Sequence, residues 1–455
     1  MKYFSPQSTR YQGLKPPELY EYFLDNFWFK AAGLENERIN EPLKGSHKAD
    51  IVIIGGGYTG LSSAYNIHKR FPDKKIMLLE GACCGYGASG RNGGFCIATS
   101  LLDPECKDPD IRKKNLDVSL YGIDQIKKCI TDHGLDCDFE ENGMIDAAMN
   151  DAQAKIMEEE YHILKSFGLD VQILQGKALE KEIKSPQYIA GLITSHGAIL
   201  NPAKLARGMK KIVEEMGVEI RERSVVTRVI PGKVNHVDTE FGEVKAPVIV
   251  LATNAYSHKL GFFKNRVYPI YTYVLATEPL SRSQWDSIGW KNRRGLSDYR
   301  MIFNYMIPST DGRIIIGGSD VKYYHNDGIA PGNNKSVSQD IVKDLVKTFP
   351  SLEGIKIDHA WGGPTAATLD WVPSVGVMGE YNNIYYGVGF NEGVPSTQTS
   401  GKIISDLMAG EENEFTTHYV VNKKVPYAGP KVLRSFFGAL KKKYMVNVVK
   451  NAGNF

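Results

Sequence analysis

At 455 residues, with 42% hydrophobic and 24% charged side chains, the chain is long enough for two domains with sizeable cores and too apolar for disorder. A net charge of +3 is too small to imply a nucleic-acid partner, and no apolar run approaches the roughly eighteen residues of an integral membrane segment. Met1-Lys2-Tyr3-Phe4-Ser5-Pro6 has no apolar signal core, the cysteines between Cys83 and Cys137 lack CxxC spacing, and the histidines form no HxH or HExxH; a cytoplasmic chain with free thiols and no metal is expected.

Residues 1–47 form an extension rich in tyrosine and phenylalanine, with Phe27-Trp28-Phe29 on a short helical stretch suited to stapling onto a domain surface. The run Ile51-Val52-Ile53-Ile54 reads as a buried strand. It is closed by Gly55-Gly56-Gly57-Tyr58-Thr59-Gly60, and Leu61 to Arg70 reads as a helix. In this pattern Gly55 permits the tight turn, Gly57 lets backbone N–H groups approach a pyrophosphate, and Gly60 lets helix and strand pack closely. Tyr58 and Thr59 stand at the helix start, where unpaired N–H groups and the dipole favour an anion. Lys75 to Glu80 is the next strand, and Glu80 follows Gly60 by twenty residues, placed to accept from ribose hydroxyls. An acid there repels a 2′-phosphate, which leaves FAD or NAD. A second glycine-rich loop, Gly85 to Phe95, then stands where a plain NAD domain would run into another strand–helix unit. Its small residues suit backbone approach to something large and flat, which points to FAD. Ser89 and Asn92 add short polar side chains, and Arg91, Gly93 and Gly94 complete this part of the candidate set.

From Asp110 to about Gln187 helical periodicity alternates with short strands, Ile145 to Met149 among them. Val267 to Leu280 and Tyr299 to Asp320 alternate at strand spacing, bounded by turns such as Asp311-Gly312, and predict an antiparallel sheet. Asn383 to Val388 reads as a strand, Gly389 to Val394 as a loop and Thr397 to Met408 as a helix. A helix starting beside a flavin places its positive dipole end where negative charge develops as the ring takes a hydride. The fold class is α/β: a Rossmann-type FAD-binding domain with an antiparallel-sheet substrate domain. Residues 48–99, 190–260 and 355–412 are assigned to the first, and 100–189 and 261–354 to the second. Residues 413–455 form a basic tail with Lys441-Lys442-Lys443, read as an apolar face docked on the body with its lysines solvated.

On these motifs the chain resembles the FAD-dependent amine and amino-acid oxidoreductases of the D-amino-acid oxidase/glycine oxidase superfamily. Within it the likeness is to the γ-glutamylputrescine oxidase-like group, where GASGRNGG follows the ribose acid; it covers about Asp50 to Gly410. The resemblance implies that Val226 belongs to the strand whose backbone meets the adenine and that Thr253 lies in the turn after Val248 to Leu251. It also implies that Trp361-Gly362-Gly363 marks a flavin-side strand and that the closing helix starts beside the ring, which adds Gly389, Asn391, Glu392, Gly393 and Val394 to the cofactor set. Cysteine-linked relatives carry their cysteine where this chain has Gly363, and histidine-linked ones attach near the early glycine loop, which here has no histidine. Non-covalent FAD is therefore expected. Tyr271, Tyr305 and Trp361 are the catalytic candidates, with Tyr273 and Tyr299 also on strands expected to face the flavin.

The reaction so implied is oxidation of the C–N bond of a small-molecule amine. A neutral amine gives a hydride to flavin N5, the imine hydrolyses to a carbonyl, and oxygen or another electron acceptor takes the electrons. Oxidation of a 2-hydroxy acid or an amino acid on the same fold, or a flavin-binding protein without turnover, are the alternatives. Three departures from the resemblance bear on substrate. Thr365 replaces the arginine that clamps an α-carboxylate in glycine oxidase-like enzymes, and Ile307 stands where the γ-glutamylputrescine oxidase-like group tends to have arginine. The Gly389–Val394 loop is one residue short of the group's GYSGHGV-like pattern and carries an acid, Glu392. Small α-amino acids are disfavoured on the first count.

Overall fold

The computed structural model describes residues 26–34, 37–98, 106, 108–300, 302–324, 327–329, 333–391, 393–430 and 434. Glu392 and most of the basic tail, its lysine triplet included, lie outside them.

The strand Ile51–Ile54 is buried at all four positions, as are Ile76–Leu79 and three of the four residues of Val248–Leu251. Short uninterrupted apolar runs of this kind suit parallel strands covered on both faces. They form the centre of a six-stranded sheet in the order Ser374–Met378, Ile384–Val388, Val248–Leu251, Ile51–Ile54, Ile76–Leu79, Glu219–Arg221, parallel except at the Ser374–Met378 edge. Register positions the site. Ile54 pairs with Leu79 and Leu251 with Ile54, so Gly55, Glu80 and Ala252 leave three neighbouring strands at the same level. The helix Tyr58–Arg70 begins at that level, and the helix Val394–Ala409 packs on it where Gly401 meets Ser62.

A second sheet has eight strands, in the order Ile357–Ala367, Tyr268–Thr277, Ile314–Gly317, Tyr305–Pro308, Gly295–Asp298, Met144–Ala148, Ala190–Thr194, Val171–Gln175. Every pairing is antiparallel except Gly295–Asp298 with Met144–Ala148. Ala190–Thr194 and Ile357–Ala367, grouped by the sequence reading with the nucleotide-binding half, hydrogen-bond in this sheet. Both are largely buried, and a buried strand suits either sheet, so composition does not sort them. One face is covered by the helix Lys335–Thr348 through Val337, Ile341 and Leu345, spaced four apart, against Tyr271, Tyr273 and Leu275. Across the other face Phe27, Trp28 and Phe29 of the helix Phe27–Ala31 pack with Trp361, Val274 and Ile315. Each such aromatic buries roughly 150–250 Å², about 4–6 kcal/mol before ordering entropy at 25 cal/mol per Å². Among the described residues no helix is long and apolar enough to cross a membrane, and all six cysteines are free.

Candidate active site

A cavity of about 530 Å³ runs from the glycine turn of the first sheet to the strands of the second. At the turn the three glycines have different causes. Gly55 has φ +109°, and a Cβ on it would lie 2.5 Å from the Ala252 carbonyl oxygen. A Cβ on Gly60 would lie 1.9 Å from the Gly55 oxygen. Both are demanded by the fold. Gly57 is not: its φ is −81°, and the only side chain a Cβ would crowd is the Ser89 hydroxyl, at 2.9 Å. The missing side chain at 57 instead leaves the cavity wall bare beside Ser89 and the first turn of the helix, where N–H groups accumulate. The Tyr58 N–H is held by Ser89 Oγ at 2.9 Å, while the Tyr58 ring turns away to donate to the Pro202 carbonyl.

Glu80 accepts from the Gly56 N–H at 2.7 Å and the Ala82 N–H at 2.9 Å. Burial raises its carboxyl to about 7 against the lowering influence of those two N–H groups. Val226, Thr253 and Asn254 continue the wall, Thr253 Oγ1 meeting Ser257 Oγ at 2.9 Å. Asn254 staples the closing loop: its Oδ1 accepts from the N–H groups of Gly389 and Phe390, and its Nδ2 donates to the Phe390 carbonyl. Beyond that loop, Gly393, Val394 and Thr397 bring the start of the closing helix to the cavity.

The cavity wall thus gathers Gly55, Gly57, Tyr58, Thr59, Glu80, Ser89, Asn92, Gly93, Val226, Thr253, Asn391, Gly393, Val394 and Tyr305. Gly60, Arg91, Gly94, Gly363 and Gly389 lie behind it, and Glu392 is outside the described residues. Asn92 braces its own loop, donating to the Ala88 and Ser89 carbonyls and accepting from the Gly94 N–H. Arg91 donates from Nε to the Tyr86 carbonyl, and its guanidinium lies 5.0 Å from the Tyr86 ring centroid. Tyr305 reaches the cavity because Gly93 and Gly317 leave space for its ring, which meets Phe95 edge-on at 5.6 Å.

Of the three catalytic candidates, Trp361 and Tyr271 are placed off the wall. Trp361 shares a strand face with Thr365, which does line the cavity, but stands four residues earlier, about 13 Å away at strand rise. There Phe27 and Trp28 cover it, and its Nε1 donates to the Arg91 carbonyl at 2.8 Å. Tyr271 points to the helix-covered face, edge-on to Tyr324 at 4.9 Å.

The far end holds Tyr299, which the sequence reading placed on a strand facing the flavin, and acids that it did not single out. Asp146 accepts from the Ser297 hydroxyl, and burial, with the Glu160 carboxylate next, raises its carboxyl to about 7. Tyr299 donates to Glu160 at 2.7 Å, and burial followed by that carboxylate pushes its phenol well up, so it stays a donor. An acid inside the apolar strand Met144-Ile145-Asp146-Ala147-Ala148 was the available signal. Glu80, Asp146, Glu160 and Asp298 line the cavity, and among the described lining residues there is no lysine or arginine. Arg300 is committed to Asp298 at 2.6 Å and Asp344 at 3.1 Å. Thr365 donates to the carbonyls of Phe390 and Asn391.

The family profile described as FAD dependent oxidoreductase matches residues 50–407. The chain belongs to that family. Gamma-glutamylputrescine oxidoreductase of Escherichia coli K12 is 31% identical over 88% of this chain and 92% of its own. Glycine oxidase of Geobacillus kaustophilus is 22% identical over 81% of this chain and 95% of its own. Among solved structures, that glycine oxidase has a TM-score of 0.68 at 18% identity, covering 81% of this chain and 96% of its own. L-amino acid deaminase from Proteus myxofaciens reaches 0.70 at 16% identity, covering 86% and 97%. Both show the shared fold. FAD is the cofactor of the family, and the chain fits it: the space a Cβ on Gly57 would take suits a phosphate, and Glu80 suits a ribose.

Proposed function

We propose that this family member oxidises the C–N bond of an amine that carries no carboxylate beside the reacting carbon. The observation that carries the reading is the charge at the far end of the cavity: Asp146 and Glu160 stand there with no lysine or arginine among the described lining residues, while Glu80 lies at the nucleotide end and Asp298 is paired with Arg300. A carboxylate taken into such a site would lose its water without gaining a cation, whereas an ammonium would gain a counter-charge. Thr365 on the wall, neutral where glycine oxidase-like enzymes carry arginine, supports the same choice, whereas Ile307 is packed off the wall with Trp28 and Trp361 and does not bear on it. The name of the Escherichia coli relative fits it too, because in a γ-glutamyl diamine the acidic group is many bonds from the terminal amine.

FAD, when bound, supplies the hydride acceptor. The protein's own part in this reading is binding, orientation and proton handling. Asp146, with a carboxyl near 7, is suited to take the proton from an arriving ammonium at neutral pH, leaving the neutral amine whose lone pair assists hydride departure. Glu160, bonded by the Tyr299 hydroxyl, supplies a second acceptor at that end. Tyr305 and Phe95 provide an aromatic wall that excludes water. The free thiols, five of them buried, support a cytoplasmic home.

Anaerobic bleaching of the flavin tests the proposal, with primary amines, a γ-glutamyl diamine, N-methylamines, glycine, alanine, sarcosine and 2-hydroxy acids as the panel. Amines without an adjacent carboxylate should bleach it far faster than the amino acids. Rapid bleaching by glycine, alanine or sarcosine would overturn the substrate class, and bleaching only by hydroxy acids would overturn the chemistry.

A further inference from the structure

Three consecutive carbonyls of the second glycine loop, those of Gly90, Arg91 and Asn92, each accept from a side chain outside the loop. Asn26 Nδ2 donates to Gly90 O at 2.5 Å, Trp361 Nε1 to Arg91 O at 2.8 Å, and Trp28 Nε1 to Asn92 O at 2.8 Å. Asn26 and Trp28 come from the N-terminal extension, both are buried, and Asn26 Oδ1 fixes their relation by capping the Trp28 N–H at 3.0 Å. The Phe29 ring fills the space that a side chain on Gly90 would need, 2.8 Å from that Cβ position. On the other side of the loop, Asn92 and Gly93 line the cavity, and Gly93 sits against the Tyr305 ring.

We propose that Asn26 and Trp28 are positioning residues for FAD: the extension acts as a clamp that holds the loop carbonyls away from the cavity and sets where Asn92, Gly93 and Tyr305 meet the flavin. A loop of small residues has the backbone freedom to collapse into an empty cavity, and three directed hydrogen bonds remove that freedom. With any one donor lost, the loop carbonyl can turn to water in the empty cavity of the apoprotein but is left unpaired once FAD fills it, a difference that should weaken FAD binding about tenfold. The inference concerns the cofactor and holds whichever amine is the substrate.

The test compares Trp28→Phe, which keeps a ring and deletes the N–H, with Asn26→Ala and with Lys30→Ala, an exposed position on the same helix. For each purified protein the readouts are apoprotein melting temperature, FAD dissociation constant, visible flavin spectrum and flavin midpoint potential. Trp28→Phe and Asn26→Ala should each weaken FAD about tenfold and shift both the spectrum and the potential, while Lys30→Ala matches the parent. If Trp28→Phe does not fold, Asn26→Ala, which leaves the three rings in place, decides. Unchanged affinity, spectrum and potential in a folded variant would overturn the clamp. So would a fall in melting temperature alone, which would reduce the segment to packing.

Discussion

Replacing Glu80 probes the nucleotide end most directly, because one side chain there serves both fold and ligand. In Glu80→Ala the N–H groups of Gly56 and Ala82 lose their acceptor. Water entering the enlarged cavity can satisfy them, so the stability cost belongs at the low end of about 1–3 kcal/mol per group. A hydrogen bond from a ribose hydroxyl to a carboxylate contributes about 1.5–3 kcal/mol, so its loss should weaken FAD about 10- to 150-fold. Glu80→Gln keeps one acceptor oxygen and should fall between. The pH dependence separates a ribose acceptor from a structural prop. Burial holds the carboxyl near 7 without ligand, and donation from ribose hydroxyls favours the ionised form and pulls its pKa down. Below about pH 7 binding must therefore release a proton, so affinity climbs with pH and levels off above about 7; in Glu80→Gln that climb disappears. Titrating apoprotein with FAD between pH 5.5 and 8.5, followed by flavin fluorescence, measures both effects. Parent-like affinity in Glu80→Ala, or an unchanged pH slope in Glu80→Gln, would refute the assignment.

Gly57→Val should cost the apoprotein little beyond the displaced Ser89 hydroxyl and its bond to the Tyr58 N–H, since the backbone there is ordinary, yet empty the FAD site; full occupancy would mean that the phosphate turn is misassigned. Acid precipitation should release all the flavin to the supernatant, and a yellow pellet would refute non-covalent binding. Asp146→Asn should slow anaerobic flavin reduction by an amine about 100-fold at pH 7. It should also move the rise of rate with pH from near 7 toward the amine's own pKa, about 10 for an alkyl amine; an unmoved profile would remove Asp146 from proton handling.

What was legible in the sequence was what is local. The turn Gly55–Gly60 and Glu80 belong to one strand–helix–strand unit, so spacing along the chain translates directly into proximity. Strand spacing likewise found Tyr268–Thr277 and Tyr305–Pro308, but alternation says only that residues divide between two faces. It does not say which face a helix covers. Tyr271 points under the helix Lys335–Thr348, and Trp361 lies on the cavity-side face of its strand beneath the N-terminal extension. Asp146 and Glu160 meet only because a strand and the following helix fold over the same cavity; Asp146 stands out as an acid inside an apolar strand, but Glu160 alone reads as an ordinary helix acid. Trp28 was legible as a staple, but its indole N–H aimed at Asn92 O depends on a contact across 64 residues of chain.

The order of strands in the six-stranded sheet also bears on how the protein is made. Val248–Leu251 is flanked by Ile51–Ile54 on one side and Ile384–Val388 on the other, and Asn254 can grip Gly389 and Phe390 only once the last of these has arrived. About 330 residues separate Ile54 from Ile384. At roughly 5–20 residues per second of synthesis, the phosphate turn leaves the ribosome some 15–70 seconds before the strand that completes its pocket. Val248–Leu251 itself emerges about 130 residues before Ile384, so for roughly the last 7–27 seconds of that interval its edge on that side has no strand to pair with. The nascent chain passes through a window in which a chaperone or an early nucleotide ligand has something to protect, and the finished flavoprotein does not.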